Sequence, residues 1–459
     1  MKKLFLLIML LIVTNLLAVA CAPQTVEVEV EKEVTRVVEV KKEVEKEVVR
    51  IVEAVNQNVT LTFWHRWTEK PSERMTELMA EFEKLHPNIT IEQNSLGDQE
   101  YKDTIRTVMA SPNAPDLFFS YGGTWLKFLV DAGLVANLDD YYEQYDWQSR
   151  FVTSAIDSSM YDGKHYALPF EIGTTHMLYN KGVFDKIGLT ISPEPTWSEF
   201  LEVAAKLKEN DIAPIAFGNV NKWPSQWWFD YPLNRMQGRE FYIDLVEGRA
   251  KYNDEKVIET LNTIKRDLVD RGYFMPDFNA LDWFDADAVF ASGQAGMYLN
   301  LAGGVPYIYP KAPDGQELEI GWFIFPRMNE AVPIYNDNYV ESYFAISEAS
   351  EHKTEAAMFL DFVTAPENAN RWNEIAMTAV IGADEGLSPL FKEFQAAMAK
   401  YPGYTHYVLV THPELSSAFL TAWQEILAGT LSVENGMERV EKMAADLPFR
   451  GEHPAVGQE

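Results

Sequence analysis

The sequence predicts an α/β protein, and three observations carry that prediction. From residue 59 onward, short strand-like runs alternate with amphipathic helical stretches, the pattern of strand–helix units on a parallel sheet. Asp116-Leu117-Phe118-Phe119-Ser120 is short and continuously apolar, as a strand covered on both faces should be. Cys21 is the single cysteine in 459 residues, so stability has to come from a core and not from intrachain disulfides. Roughly 400 residues follow the N-terminal leader and linker, enough for two domains or more.

The elements follow in order. Val59 to Phe63 alternates apolar and polar residues and ends in Trp64-His65-Arg66-Trp67, which reads as a strand with an aromatic exit. Met75, Leu78, Met79, Phe82 and Leu85 share one helical face, with Pro71 before it and His86-Pro87-Asn88 after it. Ile89-Thr90-Ile91 is a second strand, and Tyr101, Ile105, Val108 and Met109 mark a second helix. After the apolar third strand, Trp125 to Ala132 reads as a helix closed by Gly133. Asp162-Gly163 is a tight hairpin signal. His176 to Tyr179 is a strand, and Thr196-Trp197-Ser198-Glu199 is a capping box opening a helix that runs through Leu207. Ile212 to Phe217 contains Pro214, so it belongs at a sheet edge or a strand start. Asn221 to Tyr231 (NKWPSQWWFDY) reads as an aromatic loop. Val257, Leu261, Ile264 and Leu268 make a helix, Ala295 to Leu299 a strand, and Glu319 to Phe325 and Tyr343 to Ile346 two more. The last hundred residues are mostly helical, with apolar faces at Ala356, Phe359, Leu360 and Val363, at Leu415, Phe419, Trp423 and Ile426, and at Val433, Met437, Val440 and Met443.

The N-terminus has another character. Met1-Lys2-Lys3 precedes an apolar run from Leu4 to Val19, and Leu17-Ala18-Val19-Ala20 leads into Cys21. This is the form of a secretory signal, and its end resembles a bacterial lipobox, although Ala18 stands where Leu is usual. Residues 1–20 are therefore expected to be a lipoprotein signal peptide, with Cys21 as the lipidation site on the outer side of a cell membrane. The apolar run is short for a spanning helix. Residues 21–57 form a linker built almost wholly of Val, Glu, Lys and Arg. Val30, Val34, Val37, Lys41, Val44, Val48, Ile51 and Val55 follow a heptad seam. Two readings stand: a charged helical stalk, or a solvated spacer. The chain carries 39 Lys and Arg against 69 Asp and Glu, a formal net charge of -30. That balance argues against nucleic acid as a partner.

Several segments together resemble one family. They are Leu61 to Trp67, Ala114-Pro115-Asp116-Leu117-Phe118 with Leu129 to Tyr141, Asp162 to Pro169 with Tyr179-Asn180-Lys181, Pro195-Thr196-Trp197, Ile212-Ala213-Pro214, and Phe290 to Met297. In their order and spacing the chain resembles the bacterial extracellular solute-binding proteins of family 1, the maltose-binding-protein-like receptors of carbohydrate ABC importers. The resemblance implies a two-lobed, periplasmic-binding-protein-like fold of type II. On chain order it implies a first lobe of residues 58–168 plus 302–346 and a second of 170–300 plus 350–459. Asn300 to Gly304 would be the second crossover. It further implies a carbohydrate ligand in the cleft, ABC permease subunits with their ATPase as partners, and hinge closure.

A sugar site needs aromatic faces for ring C–H groups and oriented polar groups for hydroxyls. With the resemblance, this selects His65 and Trp67, with Trp64 placed either in the cleft or in the core. Ser120, Tyr121 and the following glycines stand after the third strand. Glu171 in the first crossover is either a hydroxyl acceptor or a hinge ion pair. Trp227 and Trp228 offer stacking faces or a local core. Asn300, Gly303, Tyr339 and Glu341 complete the candidates. Relatives often carry Trp close after the crossover glycine; here Val305 and Pro306 follow instead. Asn336-Asp337-Asn338 lacks the spacing and Gly of a calcium loop, so no metal, no cofactor and no catalytic residue is expected. Three alternatives remain: a surface-anchored glycoside hydrolase, which needs two flanking carboxylates; a receptor for another solute, such as a glycerol phosphate ester; and an adhesion protein on a stalk.

Overall fold

The computed structural model describes residues 58–452. The signal peptide, Cys21 and the linker expected over 21–57 lie outside the described residues.

Strand β1 (Val59–His65) buries alternate residues, so Leu61, Phe63 and His65 face inward while Trp64 turns the other way. Helix α1 (Glu69–Leu85) buries Met75, Leu78, Met79 and Phe82, each worth about 1.5–3 kcal/mol when fully removed from water. Strand β2 (Ile89–Ser95), helix α2 (Asp98–Met109), strand β3 (Leu117–Ser120) and helix α3 (Thr124–Asp131) continue the alternation. Asp162 and Gly163 both take positive φ, 51° and 74°, and join strands β4 (Met160–Tyr161) and β5 (Lys164–His165). Strand β6 (Leu168–Asn180) is 13 residues long. Helix α4 (Trp197–Glu209) opens on the expected Thr196–Glu199 capping box. Strand β7 (Ala213–Ala216) closes one sheet edge, where Pro214 is tolerated.

Helix α5 (Trp227–Gln237) corrects one expectation. The aromatic run from Trp223 is not a loop but a 3-10 turn feeding this helix. Helix α6 (Glu255–Ile264), helix α7 (Trp283–Ala291), strand β8 (Ala295–Leu301), strand β9 (Ile320–Phe323) and strand β10 (Asn336–Ile346) follow. Helices α8 (Lys353–Val363), α9 (Pro366–Trp372) and α10 (Pro389–Lys400), strand β11 (Gly403–Tyr404), and helices α11 (Pro413–Leu427) and α12 (Val433–Ala445) complete the parts used below.

The main sheet runs β2-β1-β3-β10-β6-β8-β7, with β11 beside β10 and β9 beside β6. It is mixed, not wholly parallel. β1–β3 and β7–β8 are parallel, whereas β10 is antiparallel to both β3 and β6. Two long strands link the lobes. β6 pairs with β10 through Leu168–Thr174, then with β8 and β9 through Thr175–Asn180.

This pairing moves parts of the expected partition. β9 lies on the second-lobe half of β6, so the chain does not cross back at Asn300–Gly304; it returns through β10, whose Tyr343–Ile346 pairs with β3. Helices α8 and α9 pack on α1 in the first lobe, where Arg371 pairs with Glu81 and Arg74 with Glu374. A third passage runs along β6, where Ile172 N–H donates to Met377 O and Ala379 N–H to Phe170 O. β9 is therefore grouped with β8 on the far half of β6, and α8 and α9 with α1. Chain order cannot reveal this, because the partners are set by sheet pairing.

A candidate ligand-binding cleft

A cleft of about 870 Å³ opens where these crossing strands meet the ends of β1 and β3. One wall comes from the residues just after β1 and β3 and from the first turns of α2. The other comes from the turn before α5, the start of α7 and the segment before α11. β6 and β10 supply the floor. Carboxyl ends of parallel strands facing a ligand crevice are usual in open α/β sheets.

The first wall is charged. The Arg66 guanidinium pairs with Glu341 and lies 3.6 Å from Asp98. It also sits over the rings of Phe119 and Tyr121, at 5.0 and 5.5 Å. Asp98 takes the Tyr121 hydroxyl and the Lys102 ammonium, the latter at 2.7 Å. Burial pushes the Asp98 carboxyl up, but Lys102 and Arg66 together outweigh it and bring its pKa to about 2. Glu341 owes its position to β10. The pairing steps from Val340↔Ile172 to Ser342↔Glu171, so Glu341 is an extra residue in the ladder. A bulge of this kind re-aims a side chain.

On the floor, the Glu171 carboxylate accepts the Trp67 indole N–H at 3.3 Å and the Trp372 indole N–H at 2.9 Å. It is 5% exposed. Burial raises its pKa, against the pull of Arg66 and the Ser342 hydrogen bond. Tyr339 lies across β6 at Gly173, where any Cβ would come within 2.5 Å of its ring. His406 packs edge-on against Tyr339 at 4.4 Å, and its Nδ1 reaches the buried Asp337 carboxylate at 3.1 Å. Asp337 also accepts from Thr175 and Trp227. With its oxygens occupied, the Asn336-Asp337-Asn338 stretch offers no cation cage, and no metal-holding cluster occurs among the described residues.

The second wall is aromatic. Trp223 meets Trp227 at 5.4 Å and Trp283 at 4.8 Å, both edge-on. Phe284 and Tyr307 extend the series. Trp283 is set by a capping box, Asp282 with Asp285, at the start of α7. It approaches Gly304 so closely that a Cβ there would meet its ring at 2.7 Å. An aromatic face thus reaches Gly304, just after β8, from α7, although no Trp follows that glycine closely in sequence. The Lys102 ammonium lies 4.9 Å from the Tyr121 ring on its own wall and 5.6 Å from the Trp223 ring across the cleft.

Of the residues singled out in the sequence, Trp67, Tyr121, Glu171, Trp227, Gly303, Tyr339 and Glu341 line the cleft. Five do not. His65 is fully buried, contacts Gln93 through Nε2 and packs between Phe63 and Trp67; burial lowers its pKa to about 4, so it is a neutral core histidine. Trp64 faces away from the cleft by strand alternation. The Ser120 hydroxyl is spent on the Tyr121 carbonyl. Trp228 packs on Phe274 and Phe325 in the second-lobe core. Asn300 turns its carbonyl to the Leu301 N–H. Sequence reasoning missed Arg66, Asp98, Lys102, Trp223, Trp283 and His406 as lining residues. A DWFD capping box was the available signal for Trp283; the others become neighbours only through tertiary packing.

The chain matches known proteins over most of this region. The family model described as bacterial extracellular solute-binding protein matches residues 67–370. An uncharacterized ABC transporter extracellular-binding protein of Pyrococcus horikoshii is 28% identical over 323 residues, 69% of this chain and 70% of that protein. A probable sugar-binding periplasmic protein of Rhizobium meliloti is 26% identical over 268 residues, 57% of this chain and 61% of its own length. Among solved structures, a chitin oligosaccharide binding protein superposes with a TM-score of 0.77 at 22% identity, covering 85% of this chain and 98% of that one. The bacterial solute receptor AcbH, described as preferring β-D-galactopyranose, gives 0.77 at 20% identity, over 84% and 99%. These structures share the two-lobed fold. With two thirds of its length matched by the family model, the chain belongs to the bacterial extracellular solute-binding proteins.

Proposed function

We propose that this protein is the receptor of a carbohydrate ABC importer, held at the outer face of the cell membrane by lipid on Cys21. It captures a sugar or oligosaccharide in the cleft, closes on it and delivers it unchanged to the permease. The observation that carries this reading is the cleft itself: aromatic faces on one wall, oriented charged and polar groups on the other, and crossing strands beneath. Sugar recognition needs both kinds of group, and relatives named for sugar binding support the same chemistry.

In this reading Trp223 and Trp283 stack on sugar rings, with Tyr121 opposite. Arg66, Glu171 and Glu341 order the hydroxyls. The working partition places 58–168, the β3-paired end of β10 and 350 to about 376 in the first lobe, with the remainder in the second.

A thermal-shift screen against mono-, di- and oligosaccharides and polyols tests it, followed by tryptophan fluorescence and recovery of the ligand. A ligand at about 100 times its Kd adds ~2.7 kcal/mol of stability, and cleft tryptophans change emission. Cleaved ligand points to a hydrolase, a shift with glycerol phosphate esters alone points to another solute, and no shift across the panel overturns the proposal.

A further inference from the structure

We propose that the cleft selects sugars by charge, taking amino sugars in preference to neutral ones and rejecting uronic acids. This rests on the sugar-receptor reading of the same cleft and goes beyond it to the class of sugar.

The argument begins with the cations. Arg66 and Lys102, the two on the inner wall, are already matched: Arg66 by Glu341 and Asp98, Lys102 by Asp98. Arg66 Nε has no hydrogen-bond partner, but a ligand carboxylate that approached it would also meet the negative charges of Glu341 and Asp98 already gathered on the same guanidinium.

Glu171 is in the opposite position. Its carboxylate is buried at the floor, and the side-chain groups bonded to it are neutral: the indoles of Trp67 and Trp372 and the Ser342 hydroxyl. No ion pair to it occurs among the described residues, in contrast to Asp98 and Glu341. Arg66 acts on it from beyond ion-pair distance while bound to Glu341 and Asp98, so three inner carboxylates share two cations, and a buried carboxylate without a direct ion-pair partner favours a ligand that brings positive charge or strong donors. Nearer the rim, Glu100, Asp103 and Asp282 line the cleft against Arg106 and Lys222. Arg106 is laid over the Phe128 ring at 4.3 Å, and Lys222 is bonded to Thr421 at 3.1 Å. Carboxylates therefore exceed basic groups on both levels.

The aromatic lining points the same way. Trp67, Tyr339 and Tyr307 border the floor near Glu171. Aromatic faces combined with carboxylates are the chemistry that recognises an ammonium group. At an effective dielectric constant near 20, a full charge about 5 Å from a carboxylate with no direct ion-pair partner changes affinity by roughly a hundredfold or more, with opposite signs for amine and carboxylate.

The test measures affinities of the full-length protein, at neutral pH and physiological salt, for matched sets of sugars. One set is methyl glucosaminide, methyl glucoside and methyl glucuronide. The second is the galactose series, and disaccharides of both are included. The expected order is amine tightest and uronate weakest, with at least about tenfold between the extremes. Any other order among sugars that bind overturns charge selection and leaves the receptor reading standing. If no sugar binds, the receptor reading fails and charge selection falls with it. Two variants locate the effect. Glu171→Gln should lower the amine-to-uronate ratio by about tenfold. Glu341→Gln, which leaves Arg66 with Asp98 as its one ion-pair partner among the described residues, should strengthen uronate binding by a similar factor. Each ratio is read within one variant, so a partly unfolded preparation does not alter it. Unchanged ratios in both variants overturn the assignment.

Discussion

Trp223 and Trp228 belong to one aromatic run but meet different surroundings. Trp223 borders the cleft, whereas Trp228 is packed against Phe274 and Phe325. Trp223→Ala should weaken sugar binding by about tenfold or more, ~1.4 kcal/mol, with little change in melting temperature. Trp228→Ala should cost about 3–5 kcal/mol of stability. Titration calorimetry and denaturant unfolding separate the two, and equal effects on both readouts would refute the placement. His65 makes a second prediction. Burial lowers its pKa to about 4 in the folded state from the ordinary histidine value of 6.5. Between those values the unfolded chain binds the proton and the folded chain does not, so stability is fully present above about 6.5 and falls as pH drops toward 4. His176, lowered to about 3, adds to the same slope. Histidine NMR titration checks this: a His65 resonance that titrates near neutrality rules it out. Glu171 concerns binding. It faces Arg66, Glu341 and Tyr307. As pH falls through its raised pKa it loses its charge, so any preference for an amine should fade toward acid.

At the scale of elements, two local devices position the site. The Asp282–Asp285 capping box starts α7 and thereby fixes Trp283. Asp282→Ala should destabilise the protein by about 1 kcal/mol and also weaken sugar binding, since Trp283 follows it directly. Retained affinity would detach Trp283 from the site. The bulge at Glu341 and the bare backbone at Gly173 act together on the floor. Gly173→Val should drive Tyr339 off β6 and weaken binding while the sheet still forms, as read by far-UV circular dichroism beside a titration.

The described residues form two lobes joined by β6, β10 and the 377–379 passage. A connection made of a few strands permits hinge motion. Lys102 already lies 5.6 Å from the Trp223 ring across the cleft, so closure requires only a modest approach of the walls. Saturating sugar should lower the radius of gyration in small-angle scattering. An unchanged radius would mean that binding proceeds without hinge closure.

The sequence by itself determined the fold class, the order of most elements, the Thr196 cap, the Asp162-Gly163 turn and the edge position of β7. These depend on periodicity, capping and backbone preference, which act between residues near one another in the chain. It also pointed to the strand ends and crossing segments where the cleft lies, and thus to Trp67, Tyr121, Glu171, Tyr339 and Glu341. Only the tertiary structure decided which lobe holds β9 and α8, because strand pairing and helix packing join residues far apart in sequence. It alone separated Trp67 from His65 and Trp223 from Trp228, because burial depends on what covers each face. It also brought Arg66, Asp98 and Lys102 together with Glu341. A charge network of that kind has no signature in spacing, since its members come from three separate elements and meet only when the sheet has formed.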